Sequence, residues 1–377
     1  MADYSGTFAT NQIIINTGGQ LLDSTAGNDF KVTTNNSIVE LVYVDAAKGW
    51  LVKLNQAAGA TPSSALTLGN IYDSNARYLA ATGGTVTTSG DYKIHTFTGD
   101  GCFVVSCEGN PAGSNTVDYL VVAGAGGGGK CGGAGGGAGG YRESSGTASG
   151  CYTASPLGSG VSALPVSVTT YPVSVGSGGA GSSASPGGKG GDGSNSVFST
   201  ITSAGGGGGS GRNSSPGIEN ASSGGSGGGA QYDYACSQGA GNTPPVSPPQ
   251  GNPGGLKFPS TNAPAGGGGG AVAAGQPSCY ANGPGTAGTG GPGATSSING
   301  TPTTRGGGGG GGAIPVSPPS QSLGGPGGGG RGEISSPSPV AGGVAGGANT
   351  GGGGGGGMGN SGGSGGKGIV IIRYKFQ

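Results

Sequence analysis

The sequence predicts an all-β protein that continues into a polyglycine II helix bundle. Three observations carry this. Glycine supplies 100 of the 377 residues, and its tracts lack the Gly-X-Y period that a collagen triple helix demands. The glycine-poor stretches break into short apolar runs bounded by Gly, Asn and Asp, the pattern of strands and turns. Charged residues are 8% and cancel to a formal net charge of zero, which argues against simple disorder.

Residues 1–60 read as a small N-terminal β module for attachment or oligomerisation. Strands are expected at Gln12 to Asn16, Phe30 to Thr34, Ser37 to Val44 and Trp50 to Leu54. Trp50, Val52 and Leu54 alternate onto one face, as a half-buried strand requires. So small a module is marginal alone, and a homo-oligomer is expected, a trimer being one form. Residues 61–123 read as a lead-in β domain. Asp91 to Thr98 and Cys102 to Cys107 are expected to form a hairpin through Gly99-Asp100-Gly101, because Asp-Gly is a strong turn signal. Val117 to Ala123 is a continuous apolar run, expected to be a strand buried on both faces.

Residues 124–377 form the glycine-rich part, expected as a sandwich closed by a C-terminal strand, Gly368 to Phe376. Tracts such as 126–129, 135–140, 205–209, 266–270, 306–312 and 351–357 alternate with polar, Pro-rich and Tyr-bearing inserts. One insert nearly repeats, Pro245 to Pro249 matching Pro315 to Pro319. Ordering a glycine backbone costs about 1–2 kcal/mol, and glycine has no side chain with which to recover it. Extended three-residue-per-turn helices offset that cost by hydrogen-bonding to one another, at about 0.5–1.5 kcal/mol net per bond. Inserts are then displayed at the two ends of the bundle.

No catalytic chemistry is legible, and the chain reads as a non-enzyme without cofactor or metal. The single histidine, His95, sits in an expected strand, where a structural role is the reading. Gly124 to Lys130 fits Gly-x-x-x-x-Gly-Lys, but Cys131 stands where a nucleotide-binding loop needs Ser or Thr, and no helix follows. Six cysteines include no C-x-x-C pair; disulfides and free thiols both remain open. No basic stripe points to nucleic acid. The apolar runs are too short to span a bilayer. Met1 to Thr10 lacks a secretion signal, so export by another route, such as lysis, is expected.

Several segments taken together carry a resemblance. Gly90-Asp91-Tyr92-Lys93-Ile94-His95-Thr96-Phe97, Asp118-Tyr119-Leu120-Val121-Val122-Ala123-Gly124, Tyr171-Pro172-Val173-Ser174-Val175-Gly176 and Gly368-Ile369-Val370-Ile371-Ile372-Arg373-Tyr374 resemble the strand and glycine units of glycine-rich bacteriophage tail-fibre and adhesin proteins. Tyr43-Val44-Asp45 and Gly49-Trp50 are similar to small β modules on fibres of marine and cyanobacterial phages. The resemblance implies a virion protein, a tail fibre or tip adhesin attaching to the host surface. The alternative is a structural component without receptor binding, such as a head fibre, decoration or baseplate protein. Implied partners are other tail or baseplate proteins and a host surface glycan or outer-membrane protein. Aromatic residues on scaffolded loops favour recognition, and Tyr152, Tyr232, Tyr234, Phe258 and Tyr280 are the candidates. The competing expectation is that these rings pack on the edge of the glycine bundle.

Overall fold

The computed structural model describes residues 10, 13–15, 21–22, 25–26, 30–32, 37–45, 49–56, 76–110, 113–150, 152–184, 187–212, 220–231, 237–258, 264–279, 285–313, 322–334 and 342–377. The fold is all-β, with several antiparallel sheets and no α-helix among these residues. Two compact units divide it, Met1–Leu79 with Glu108–Asn115, and Ala80–Cys107 with Thr116–Gln377.

In the first unit β1 (Ile13–Ile15) pairs antiparallel with β4 (Phe30–Val32). A four-stranded sheet follows the order β3-β2-β6-β5, from β2 (Leu21–Leu22), β3 (Thr25–Ala26), β5 (Ser37–Asp45) and β6 (Gly49–Gln56). The hairpin of β5 and β6 keeps register from Ser37 opposite Gln56 to Tyr43 opposite Trp50. Trp50, Val52 and Leu54 do alternate along β6, but their side chains lie outside the described residues. Two-residue β2 and β3 are too short to give a periodic signal, and the sequence reading missed them. The second stretch of this unit joins the first through paired bonds, Arg77 N–H to Asn110 Oδ1 and Asn110 N–H to the Arg77 carbonyl, each 3.0 Å.

The second unit holds two main sheets. The five-stranded one runs β16-β15-β14-β10-β7, from β7 (Ala80–Thr82), β10 (Gly101–Cys107), β14 (Thr170–Ser174), β15 (Ser196–Phe198) and β16 (Ile201–Ser203). The six-stranded one runs β12-β11-β19-β9-β8 with β13 attached to β11. Its strands are β8 (Thr85–Ser89), β9 (Tyr92–Phe97), β11 (Thr116–Val122), β12 (Tyr141–Glu143), β13 (Leu164–Pro165) and β19 (Ile369–Lys375). A small hairpin joins β17 (Ala294–Ser296) and β18 (Thr303–Arg305). β7 to β11 share one compact unit with the glycine-rich region.

The expected hairpin of Asp91 to Thr98 with Cys102 to Cys107 does not form. β9 already has β8 and β19 as neighbours, while β10 pairs with β7 and β14 in the other sheet. Gly99-Asp100-Gly101 is a crossover, tethered because Asp100 Oδ1 accepts the Val175 N–H at 2.8 Å. A second crossover at Gly83 and Gly84 uses φ of 115° and 60°, and a Cβ on Gly83 would strike the Cys102 carbonyl.

An aromatic layer joins the sheets. Phe103 of β10 meets His95 of β9 edge-on at 5.1 Å, Phe198 of β15 at 5.9 Å and Tyr374 of β19 at 6.2 Å between ring centres. Such contacts add to the burial of each ring. Alternate residues of the central strands face the other way. There Ile94, Leu120, Val122, Ile369 and Ile371 pack against Ala271, Ala294 and Ile298. β11 is therefore covered on both faces, as its unbroken apolar run implied.

The glycine-rich chain leaves this sheet and returns to it as extended segments. Segment 124–130 shows how they are held. Its N–H groups at 124, 127 and 130 donate to the carbonyls of Ser194, Gly191 and Gly188. Those at 125 and 128 reach Gly366 and Gly363, and those at 126 and 129 reach Gly137 and Ala134, all at 2.9–3.0 Å. Its carbonyls at 124, 127 and 130 accept from Gly206, Gly209 and Arg212, those at 125 and 128 from Gly179 and Ser182, and those at 126 and 129 from Gly354 and Gly357. Every donor and acceptor is used, on six neighbouring segments, with a repeat of three residues. The tract glycines mostly avoid positive φ; space selects them. A Cβ at Gly128 would land on the Gly355 carbonyl, at Gly309 on Gly354, and at Gly136 on Gly126.

Candidate functional site

The order of hydrogen-bond partners gives each segment a direction. Partners of 124–130 that count downward (137 to 134, 194 to 188, 366 to 363) run antiparallel to it, and those that count upward (206 to 212, 179 to 182, 354 to 357) run parallel. The segments thus run up and down between two ends. One is the strand end, where β11, β12, β14, β15, β16, β17, β18 and β19 meet the glycine tracts. The other is distal, and holds the turns at 131–133 and 358–360.

The strand end is pinned by buried charges. Asp118 of β11 accepts from Ser144 Oγ at 2.7 Å, from the N–H of Gly146 at 3.2 Å and Ser149 at 2.7 Å, and from Ser149 Oγ. Opposite it in register, Arg373 of β19 lies between rings, with Cζ 4.5 Å from the centre of Tyr92 and 5.3 Å from that of Tyr152. Its Nη1 donates to the Ile298 carbonyl at 3.3 Å. Glu143 of β12 accepts from the Tyr141 hydroxyl at 3.1 Å, the Ser155 N–H at 2.9 Å and Ser296 Oγ. Burial pushes the Glu143 carboxyl above its ordinary range and draws the Arg305 and Arg373 guanidiniums below theirs. Burial likewise raises the Tyr141 and Tyr152 phenols, so both stay neutral donors. These groups fasten the 144–163 loop and the 297–302 turn to the sheet.

Beside this loop lies an open groove of about 420 Å³ lined by Thr116, Ser145, Thr147, Ala148, Gly160, Val161, Ser162 and Ala163. Its lining carries hydroxyls but no charge and no aromatic ring. His95 takes no part in either end. Its Nδ1–H donates to the Gly83 carbonyl at 2.7 Å, so Nε2 accepts from the Tyr374 hydroxyl at 3.2 Å. Burial lowers its pKa, and it serves as a neutral clamp on the crossover.

The distal end collects six of the inserts. Gln231 bonds the Cys131 carbonyl of the distal turn through Nε2 at 2.8 Å. Ser237 N–H reaches Asn220 Oδ1, Ser278 N–H reaches the Leu256 carbonyl, Ala265 N–H the Gly312 carbonyl, and Ala313 N–H the Glu333 carbonyl. These residues flank the inserts 213–219, 232–236, 259–263, 280–284, 314–321 and 335–341, so all six depart from one end. Glu333 is itself buried there. Its Oε2 accepts from three successive N–H groups, Met358 at 2.7 Å, Gly359 at 3.1 Å and Asn360 at 2.9 Å, and Oε1 accepts from Asn360 Nδ2 at 2.6 Å.

The candidate aromatic residues are therefore divided. Tyr152 lies at the strand end, half-buried against the apolar cluster of the six-stranded sheet, its hydroxyl 3.4 Å from the Ser144 carbonyl. Phe258 is distal and 39% exposed. Tyr232, Tyr234 and Tyr280 lie outside the described residues, in inserts whose flanks are distal. The near-repeats part company too. Val246, in the first, bonds Asn242 at the strand end, whereas Ala313 and Ser322 bracket the second at the distal end. Sequence reasoning missed Asp118, Glu143, Glu333 and Arg373. The available signal was a charge embedded in an apolar or glycine run of a chain with 8% charged residues.

The Gly124 to Lys130 stretch offers no free N–H to a phosphate, since backbone carbonyls take them all. Among the described residues no His, Cys, Asp and Glu group is arranged to hold a metal ion, and Cys102, Cys107, Cys131 and Cys279 are free thiols. A family model described as a glycine-rich domain matches residues 104–375, and no curated protein matches. The chain belongs to that glycine-rich domain family.

Proposed function

We propose, with membership of that family as the premise, that this protein is a virion tail-fibre or tip-adhesin subunit whose distal end recognises a host surface glycan or outer-membrane protein. The observation that carries the reading is the departure of six inserts from one end of the glycine-rich region, opposite the end where strands of the same unit meet the glycine tracts. Recognition loops work best on a scaffold that does not reorganise on binding. The scaffold here is a set of polyglycine II helices. The three-residue repeat of the hydrogen bonds supports that assignment, because such a helix has three residues per turn and rises about 3.1 Å per residue. Six residues then span about 19 Å, which separates the distal inserts from the strand end. The sandwich of these helices is closed by β19, and the N-terminal unit serves attachment within the particle.

The test is binding of the purified, labelled chain to host cells. Tyr232→Ala with Tyr234→Ala, or Phe258→Ala, is expected to weaken binding at least tenfold, the scale of an interface hot spot. Val168→Ala, at an exposed strand-end position, is expected to leave it unchanged. Equal binding by all variants overturns the distal recognition surface. Localisation of the chain to the capsid rather than to tail appendages favours a head-fibre or decoration role instead.

A further inference from the structure

We propose that β8 is a pairing edge for a second copy of this chain, the two joined antiparallel about a two-fold axis through Thr87. The inference is independent of the recognition reading. β8 is the outermost strand of the six-stranded sheet. All five of its residues register with β9 without a shift, Thr85 opposite Thr96 through Ser89 opposite Tyr92. Among the described residues, its hydrogen bonds go to β9 alone, so the outward N–H and C=O groups of the strand stand open. Four of its five residues, Thr85 to Thr88, are exposed, Val86 by 46%.

The other outermost strands of the two main sheets are closed by identifiable means. At β12, Tyr141 N–H donates to the Gln250 carbonyl at 2.9 Å. At β7, Ala81 N–H donates to the Tyr374 hydroxyl at 3.1 Å. β16 runs directly into the glycine segments, where Gln250 Oε1 accepts the Ala204 N–H at 2.8 Å and the Ala204 carbonyl accepts the Gly140 N–H. β8 has no such cover. It also has no Lys, no Pro and no bulge, the devices by which natural edges repel another strand.

The strand's own chemistry selects the occupant. Thr85-Val86-Thr87-Thr88-Ser89 is uncharged, so it offers nothing to complement a charged partner strand. Turned antiparallel on itself about Thr87, it sets Thr85 against Ser89, Val86 against Thr88 and Thr87 against Thr87. Hydroxyl and β-branched cross-strand pairs of this kind are favourable, and no like charges meet. An isologous contact closes at two copies and leaves no free edge. Five residues bury less than the standard interface area of about 1,200–2,000 Å². The pairing is therefore weak between free chains, and strong where copies are held side by side at high effective concentration.

Sedimentation velocity across a concentration series of the full chain reads this directly. A monomer–dimer equilibrium is expected. Thr87→Lys places two like charges face to face on the axis and is expected to raise the dissociation constant tenfold or more. Thr87→Val keeps the strand and is expected to keep the dimer. Thr170→Lys, exposed on a central strand of the other sheet, controls for added charge. Monomer at every attainable concentration overturns the proposal. So does a dimer, or a trimer formed through another surface, that Thr87→Lys leaves unaltered while circular dichroism shows the variant folded.

Discussion

The sheets and the glycine segments of the second unit are packed by opposite means. Between the sheets, rings meet at 5.1 and 6.2 Å, and each element contributes side chains that exclude water. Among the glycine segments the few side chains are small, such as Ala125, Ala134, Ala138 and Ser226. Backbone meets backbone, and cohesion comes from a hydrogen bond at nearly every N–H. Losing atoms weakens the first arrangement. Adding them breaks the second. Glycine, ordinarily the residue of looseness, is here the residue that permits closest packing.

Substitutions sharpen that contrast, the largest effect falling in the glycine segments. Gly128→Ala sets a methyl on the Gly355 carbonyl. Because that obstacle is backbone held on all sides, the cost is expected to exceed about 4 kcal/mol, beyond ordinary overpacking. Gly359→Ala has open space around the new methyl and is expected to change stability by less than about 0.5 kcal/mol. Equal unfolding midpoints for the two variants in urea would mean that the close approach is not what holds the segments.

Phe103→Ala removes the ring at the centre of the aromatic layer. An expected cost of about 3–5 kcal/mol follows from lost burial and the cavity left behind. A loss under about 1 kcal/mol in the same titration would show that the glycine segments, rather than the layer, carry the unit's stability.

Acid and base test the two regions through single groups. Burial lowers the His95 pKa below its ordinary 6.5, so the folded chain binds that proton less tightly than the unfolded chain. The stability His95 contributes is present above pH 6.5 and is lost as the pH falls through and below that value. Burial raises the Glu143 pKa above 4.5, which has the opposite sign. Its contribution is fullest below pH 4.5 and is lost as the pH rises through the raised folded value. Stability measured against pH should therefore decline less on the acid side in His95→Gln, and should decline less toward neutral pH in Glu143→Gln. Parallel pH profiles for both variants and the parent chain would sink this assignment.

A modest effect is expected at the rim of the glycine region. There Asp192 Oδ1 takes the Gly208 N–H at 2.9 Å, and Asn195 Oδ1 takes that of Gly205 at 2.9 Å. Side chains stand in three residues apart where no further backbone is available. Asp192→Ala is expected to cost about 0.5–1.5 kcal/mol, with faster amide exchange confined to Gly208 and its neighbours. Protection unchanged at Gly208 would show that water replaces the carboxylate without loss.

Much of the strand content was legible. β5, β6, β11, β14 and β19 follow from apolar runs bounded by turn residues. Two- and three-residue strands such as β12, β17 and β18 were not, because so short a run carries no period. The pairing of β9 was misread for a related reason. Asp-Gly signals a turn, but a turn does not say which strand it delivers as a neighbour. Of the candidate aromatic residues, Phe258 lies exposed at the distal end while Tyr152 packs beneath a loop. Composition alone cannot separate those two fates, since burial of a ring depends on what the fold sets above it.

The amino-acid sequence by itself determined the character of the chain. It has β runs at either side of a glycine-rich body and little charge. Those properties are local, fixed by which residues stand next to each other. Tertiary structure alone decided which sheet each strand joins, which charges are buried, and that six of the inserts leave from one end. Each of these depends on the direction in which a segment crosses the body, and a run of identical glycines carries no mark of direction. Direction emerges only when each N–H finds its carbonyl on a neighbouring segment.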